Sequence, residues 1–201
     1  MELRFSKMKY KHIKECVKML NDEWDLGKEA SKSEGNICAK IYMLEILIYG
    51  SRLIVCTSKN KVVGFVGYYN KKDKKLTLRK SIYRLLQKLL CLSPKIKNKE
   101  KIKEYYNVYE YTPNEIKELF DSELDIIMVA SEHRKKGIGK ILFEKICEVA
   151  KQDGIRKMQI DTDDSCTYKF YELNNCRKVY ETEIRNGEKI VEKAYVYERV
   201  I

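Results

Sequence analysis

The sequence predicts an α/β fold of the α+β kind, a mixed and mostly antiparallel sheet flanked by helices. Three observations predict it. Apolar residues at helical spacing alternate along the chain with short β-branched runs. Asn186-Gly187 stands between two strand-like runs, the strongest short hairpin signal in the chain. An apolar fraction of 44% in 201 residues supplies one core, with room for a sizeable insertion. The expected organisation is a single domain over 1–201, with a basic, helical insertion at about 70–121.

The elements follow in order. Leu3 to Phe5 reads as a short first strand and Ser6 as the N-cap of a helix, in which Ile13, Cys16, Val17 and Leu20 recur at i, i+3, i+4 and i+7. A second helix covers about 34–49 and ends at Gly50 in the C′ position. Arg52–Thr57 and Lys61–Tyr69 form a hairpin about the turn Ser58-Lys59-Asn60. Residues 70–121 are too long for a structureless loop and carry their own helices. Ile82, Leu85, Leu86, Leu89 and Leu90 make one apolar stripe, with Arg84 and Lys88 off it, which predicts a helix packed on the domain with a solvated basic face. Thr112-Pro113-Asn114-Glu115 has capping-box spacing with proline at N1. Glu123–Val129 is a strand. About 137–152 is a helix burying Ile138, Ile141, Leu142, Ile146, Val149 and Ala150. Lys157–Thr162 is a strand, and Asp164 caps a helix running through Tyr171. Arg177–Arg185 and Ile190–Arg199 close the chain as a hairpin.

Composition excludes several classes. Seven cysteines, odd in number and without a C-x-x-C pair, argue against a disulfide framework and a structural zinc site. A reducing, cytoplasmic compartment is the expectation. The longest apolar stretch, Ile37 to Tyr49, is interrupted by Lys40 and Glu45 and is too short to span a bilayer. The net charge is +11, but Lys71 to Glu104 alone holds 13 Lys/Arg against Asp73, Glu100 and Glu104. The basic character therefore belongs to one region and not to the whole surface. No metal cluster and no Ser/His/Asp arrangement is visible.

Chemistry concentrates between Leu124 and Lys140. A strand ends, a basic loop with two glycines follows, and an amphipathic helix begins. Unpaired N–H groups at a helix N-terminus, with about half a positive charge from its dipole, make an anion site. Gly137 and Gly139 allow close approach of a phosphate, and Arg134, Lys135, Lys136 and Lys140 add charge at its edge. The pattern is neither a Walker loop, since Ile141 stands where Ser/Thr is required, nor a dinucleotide fingerprint, since Leu142 replaces the third small residue. Taken alone, it could equally be a basic turn before an ordinary helix.

Val129-x-x-x-x-Arg134-x-x-Gly137-Ile138-Gly139 resembles motif A of the GNAT acetyltransferases, and Phe170-Tyr171-Glu172-Leu173-Asn174-Asn175-Cys176 resembles the family's F-Y-E-x-x-G-F signature. The family's order of elements runs over most of the chain. Two positions depart from the pattern. Ser131 stands where proline is usual, and Asn175-Cys176 where Gly-Phe is usual. Asn tolerates the left-handed conformation that a cap needs there.

The resemblance implies that acetyl-CoA is the co-substrate, bound where strands 123–129 and 157–162 splay apart. Its pantetheine arm would bond to the backbone of Ile127, Met128 and Val129, and its pyrophosphate would sit on the N–H groups of Lys135, Lys136, Gly137, Ile138, Gly139 and Lys140. Asp164 matches a cofactor-contacting position. An amine would attack the thioester directly, with Tyr171 as the acid that protonates the leaving thiolate; a phenol of pKa about 10 suits that task. The alternative for Tyr171 is a core aromatic. Glu123 and Asp125 are the candidate bases, placed by alternation on the same face as Ile127 and Val129, or else solvated residues at a strand start. No metal is implied. The acceptor would be a primary amine on a small molecule or a protein. Competing readings are a CoA-binding protein without catalysis, and a nucleic-acid or ribosome-associated protein using the basic insertion. For that insertion a lid over the acceptor pocket, an acidic partner and a solvated decoration all stay open, as do monomer and homodimer.

Overall fold

The computed structural model describes residues 2–24, 31–73, 77–96, 111–186 and 189–201. Seven strands form one sheet: β1 (Arg4–Lys7), β2 (Arg52–Ser58), β3 (Lys61–Asn70), β4 (Ser122–Val129), β5 (Lys157–Asp163), β6 (Arg177–Asn186) and β7 (Lys189–Val200). Their order is β1-β2-β3-β4-β5-β7-β6. Every neighbouring pair is antiparallel except β4 with β5, which is parallel. The mixed, mostly antiparallel sheet is the one the sequence predicts.

Helices cover both faces. On one side α1 (Tyr10–Trp24) and α2 (Lys32–Tyr49) set Cys16, Val17, Leu20, Ala39, Met43 and Ile46 against Val55, Phe65, Ile126 and Met128. On the other, α5 (Ile138–Gln152) sets Ile138, Leu142, Phe143, Ile146, Cys147 and Ala150 against Val66, Tyr68, Leu124, Met158, Ile160 and Tyr197. Burial on both faces explains why β3 reads as a continuous apolar run without alternation. The α5 face is rotated from the expected one: Phe143 and Cys147 are buried, whereas Ile141 and Val149 are half-buried. Asp153, at the end of α5, accepts from Tyr68 Oη and from Arg52 at 2.8 Å, tying the helix to β2 and β3.

Three shorter helices complete the chain: α3 (Leu78–Cys91), α4 (Asn114–Lys117) and α6 (Lys169–Leu173). Several local expectations are corrected. Ser6 lies within β1 and caps nothing; α1 begins at Tyr10, where the His12 imidazole accepts from Lys9 N–H at 3.1 Å. Gly50 ends α2 with φ −55°, so glycine is there for close approach, since an added Cβ would lie 2.5 Å from the Ile46 carbonyl oxygen. Thr112 does not cap α4. Its hydroxyl turns to Asp161 at 3.3 Å, and Pro113 takes the N-cap place. Asp164 caps no helix either: Asp163 Oδ1 accepts from the N–H groups of Ser165 at 3.0 Å and Cys166 at 3.1 Å, and α6 starts later. Of the apolar stripe of α3, Leu90 packs against Ile37 and Ile41 of α2, whereas Ile82, Leu85, Leu86 and Leu89 point to solvent; only Tyr83 of this helix is fully buried. β6 and β7 pair as expected, and the Gly187 of their turn lies outside the described residues, as does the aromatic stretch Tyr105 to Tyr109.

β4 and β5 are joined at their bases by one side chain. Asp121 Oδ2 accepts from the N–H groups of Arg156 at 3.0 Å and Lys157 at 3.2 Å, and the Asp121 N–H donates to the Lys157 carbonyl at 3.1 Å. Burial alone would raise the Asp121 pKa, but these two N–H donors, with Lys72 and Arg156, outweigh it and hold it below the usual carboxylate value. A depressed folded pKa gives stability that is present above the unfolded value of about 3.9 and is lost as pH falls through the lower folded one. Asp121→Ala is therefore expected to cost about 2 kcal/mol at neutral pH. The deficit should shrink at the acid end of a series of denaturant melts; a deficit that does not change with pH would refute the clamp.

Candidate active site

Past the Asp121 clamp the two parallel strands separate. In-register pairing consists of Ser122 with Met158 and Glu123 with Gln159, and it stops there. β4 stays paired with β3 as far as Val129, while β5 pairs with β7 along its whole length. The edge of β4 beyond Glu123 therefore faces a cleft and not a strand. Ile127, Met128 and Val129 lie on this free edge, Met128 buried toward α1 and α2, Ile127 and Val129 against the α5 core.

The divergence has a local cause within β4. Gly67 pairs with Ile126 and Tyr68 with Leu124, so Asp125 is the extra residue of a β-bulge. The bulge reverses the phase of alternation: Leu124 faces the α5 core, whereas Ile126 and Met128 face α1 and α2. Glu123 and Asp125 thus do not share a face with Ile127 and Val129, which corrects the expectation from simple alternation.

Glu123 instead turns to the apex of the cleft. There Tyr69, Lys71, Asn114, Lys117, Glu118, Glu123 and Asp161 line an open cavity of about 510 Å³. Burial pushes the Glu123 carboxyl up to about 7, and Asp161 adds to this, against Lys71 and Lys117. Asp161 is raised by the same burial, while Gln159 Nε2 at 3.0 Å and Thr112 Oγ1 at 3.3 Å donate to it and pull the other way. Asp125 is also pushed up to about 7, by burial first and then by Glu123 and Glu45; its Oδ2 is buried and accepts no hydrogen bond among the described residues. Lys71 Nζ donates to Gln159 Oε1 at 3.2 Å and to the Lys117 carbonyl, and burial lowers its pKa. The roof of this cavity comes from the C-terminal end of the insertion: Tyr111 Oη donates to the Thr162 carbonyl at 3.1 Å, and Asn114, Lys117 and Glu118 belong to α4 or adjoin it.

Asp161 and Lys71 escaped the sequence reading, which had left a lid among the open roles for the insertion. A signal did exist for Asp161, since Gln159, Asp161 and Asp163 alternate with buried Met158 and Ile160 in a central strand. Paired polar positions on an interior strand are costly unless they are used.

At the open end of the cleft α5 begins without a side-chain cap. Gly137 has φ +77°, a conformation that favours glycine, and a Cβ there would meet nothing within 4 Å. Lys135 is left-handed as well, at φ 58°. Backbone N–H groups at this terminus are therefore open to an anion, which fits a pyrophosphate. The basic side chains are less available than their number suggests. Arg134 Nε donates to the Val129 carbonyl at 3.0 Å and its guanidinium pairs with Glu23 of α1. Lys136 Nζ donates to the Glu132 carbonyl at 2.7 Å, and Lys140 lies 3.8 Å from Glu144. Arg134 thus shapes the loop as a brace. A Cβ at Gly139 would make ordinary contacts, 3.7 Å from Phe170 and 3.8 Å from Val129, so the ends of β4, α5 and α6 meet here.

On α6 the Tyr171 ring packs 5.4 Å from Phe170, 5.9 Å from Tyr197 and 6.2 Å from Phe143. Its hydroxyl has no hydrogen-bond partner among the described residues, and burial, with Cys166, Cys176 and Asp163 nearby, raises its pKa. It stays a protonated phenol, able to donate. Asn175 closes the helix at φ 59°, the left-handed conformation anticipated for it, with Cys176 N–H donating to the Tyr171 carbonyl at 3.0 Å. Asp164 is exposed, and its N–H donates to the Lys193 carbonyl at 3.0 Å. His133 lies in the 3-10 turn before the loop, away from the apex residues. Among the described residues no cluster of His, Cys, Asp and Glu is placed to hold a metal ion.

The architecture has many relatives of known structure. An acetyltransferase of the GNAT family from Streptococcus pneumoniae matches with TM-score 0.57 at 15% identity, covering 100% of this chain and 99% of that one. The ribosomal-protein-S18-alanine N-acetyltransferase from Escherichia coli matches with TM-score 0.56 at 11% identity, covering 100% and 94%. An acetyltransferase of GNAT family from Staphylococcus aureus Mu50 matches with TM-score 0.55 at 12% identity, covering 98% and 99%. At such identities the likeness is one of fold. No curated protein sequence matches the chain. A family model described as Acetyltransferase (GNAT) family matches residues 16–174, which include the bulged strand, the uncapped helix and Tyr171. The chain therefore belongs to the GNAT family of acetyltransferases.

Proposed function

We propose that the chain is an N-acetyltransferase that moves an acetyl group from acetyl-CoA to a primary amine on a small molecule or a protein. The observation that carries this reading is the cleft between β4 and β5, open beyond Glu123 and Gln159, with the uncapped N-terminus of α5 at its mouth. Acetyl-CoA supplies the activated acyl thioester. The N–H groups at residues 135–140 would hold its pyrophosphate, and the free edge of Ile127 and Met128 would pair with its extended arm as an added strand does. The Val129 carbonyl already accepts from Arg134, so that pairing leans on the two residues before it.

The apex cavity then receives the acceptor. An amine arrives protonated and must lose a proton before it can attack. Glu123, with a pKa near 7 and Asp161 beside it, is poised to take that proton at neutral pH. Asp125 is the second candidate base. Its buried, unbonded oxygen suits a neutral carboxyl that shapes the bulge more than one that exchanges protons with an acceptor. Tyr171 retains its proton and would deliver it to the leaving thiolate. Tyr111, Thr112 and α4 favour the lid among the three roles considered for the insertion. We further propose a single-domain, metal-independent enzyme in a reducing, cytoplasmic setting, in keeping with seven cysteines that no disulfide joins. Among the described residues no helix is long and apolar enough to cross a membrane.

Calorimetry with acetyl-CoA, with ATP as a polyanion control, tests the cofactor site. Binding that ATP does not reproduce and that Gly137→Glu abolishes is the expected outcome; equal binding of the two ligands would sink the reading. With an amine panel, Tyr171→Phe should lower kcat about 10²-fold and leave acetyl-CoA affinity unchanged. For the base, kcat/KM should rise as Glu123 loses its proton through about pH 7. Glu123→Gln should flatten that rise and lower the plateau, and an unchanged pH profile in this variant would transfer the role to Asp161 or Asp125.

A further inference from the structure

Helix α3 has two unlike faces. Tyr83, Leu90 and Gln87 hold it against α2, with Gln87 Nε2 donating to the Ile41 carbonyl at 3.4 Å. On the far side Leu78, Ile82, Leu85, Leu86, Leu89 and Leu92 recur at helical spacing and are 44–80% exposed. Singly scattered leucines on a surface require no explanation, but six large aliphatic side chains on one stripe do. Arg79, Arg84 and Lys88 border the stripe, Lys80 lies on the opposite side, and α3 contains no acidic residue.

The combination restricts what can cover this face. The occupant must offer apolar surface and negative charge together. A second copy of α3 offers apolar surface, but it would bring two sets of four cations together with no carboxylate between them. RNA offers phosphate without apolar surface. An anionic bilayer surface offers both: acyl chains at the depth a leucine reaches, about 5–10 Å, and charged headgroups where flanking Lys and Arg emerge. The helix has 14 residues, enough to lie in the interface and too few to span it.

We infer that α3 is an interfacial helix by which this protein docks on anionic lipid, with Ile82, Leu85, Leu86 and Leu89 entering the acyl boundary. α3 packs on α2 and contributes no side chain to the lining of the apex cavity. Docking does not depend on acetyl transfer.

Co-sedimentation of the full chain with phosphatidylcholine vesicles, and with phosphatidylcholine mixed with phosphatidylserine, tests the inference. Binding to the serine-containing vesicles alone, weakening as salt is added, is expected. Leu85→Ser with Leu89→Ser should reduce that binding by about tenfold or more, with an unchanged melting temperature because both side chains are exposed. Arg84→Gln with Lys88→Gln should weaken binding and flatten its salt dependence. Absence of vesicle binding overturns the inference, as does binding that the double serine variant retains. A dimer in sedimentation equilibrium that the same variant dissociates, without vesicle binding, would give the face to a second copy; RNA binding without vesicle binding would give it to nucleic acid.

Discussion

The clamp made by Asp121 is the constraint on which the rest of the site depends. It fastens the bases of two parallel strands through one carboxylate and two backbone N–H groups. Two further residues pair, and then each strand follows its other neighbour, β4 following β3 and β5 following β7. A sheet normally satisfies both edges of an interior strand, and leaving one edge open is costly unless water or a ligand completes it. The bulge at Asp125 adds local twist at the point of separation. Clamp and bulge together make a wedge that is closed at one end and open at the other.

The two ends of the wedge have opposite electrostatic character. At the mouth, an uncapped helix terminus offers N–H groups to an anion, and Gly137 keeps the approach clear. At the apex, Glu123 and Asp161 line the cavity and Asp125 follows Glu123 along β4, and burial pushes each of the three carboxyls toward its protonated form. Such burial costs stability. Lys71 moderates it from the end of β3, held by Gln159 and the Lys117 carbonyl. Between the ends lies an aromatic wall, Phe143, Phe170, Tyr171 and Tyr197, that keeps the phenol of Tyr171 neutral.

The insertion divides into two parts with different work. Its last residues, from Tyr111 through α4, close over the apex and bond to β5. Its first helix, α3, rests on α2 and turns most of its aliphatic side chains outward. The sequence pattern showed that an amphipathic helix is present there. The helix does pack on the domain, through Tyr83, Gln87 and Leu90 on α2, but Ile82, Leu85, Leu86 and Leu89 of the expected stripe are exposed.

The sequence by itself determined the order of strands and helices, the strand-loop-helix with its two glycines, the phenol on the short helix and the left-handed Asn175, because each is written in neighbouring residues through periodicity, turn chemistry and local motif. Only the tertiary structure decided the remainder. The phase of β4 depends on its register with β3, and a single bulged residue moved Glu123 and Asp125 off the face that alternation gave them. Asp161 reaches the apex across a parallel crossover, and Lys71 and Thr112 reach it from separate connections, so no short window of sequence contains the acid cluster. Arg134, expected at the edge of the phosphate site, pairs with Glu23, far away in the chain. Local residues fix local conformation, whereas burial, pairing and charge at a site are sums over segments that only folding brings together.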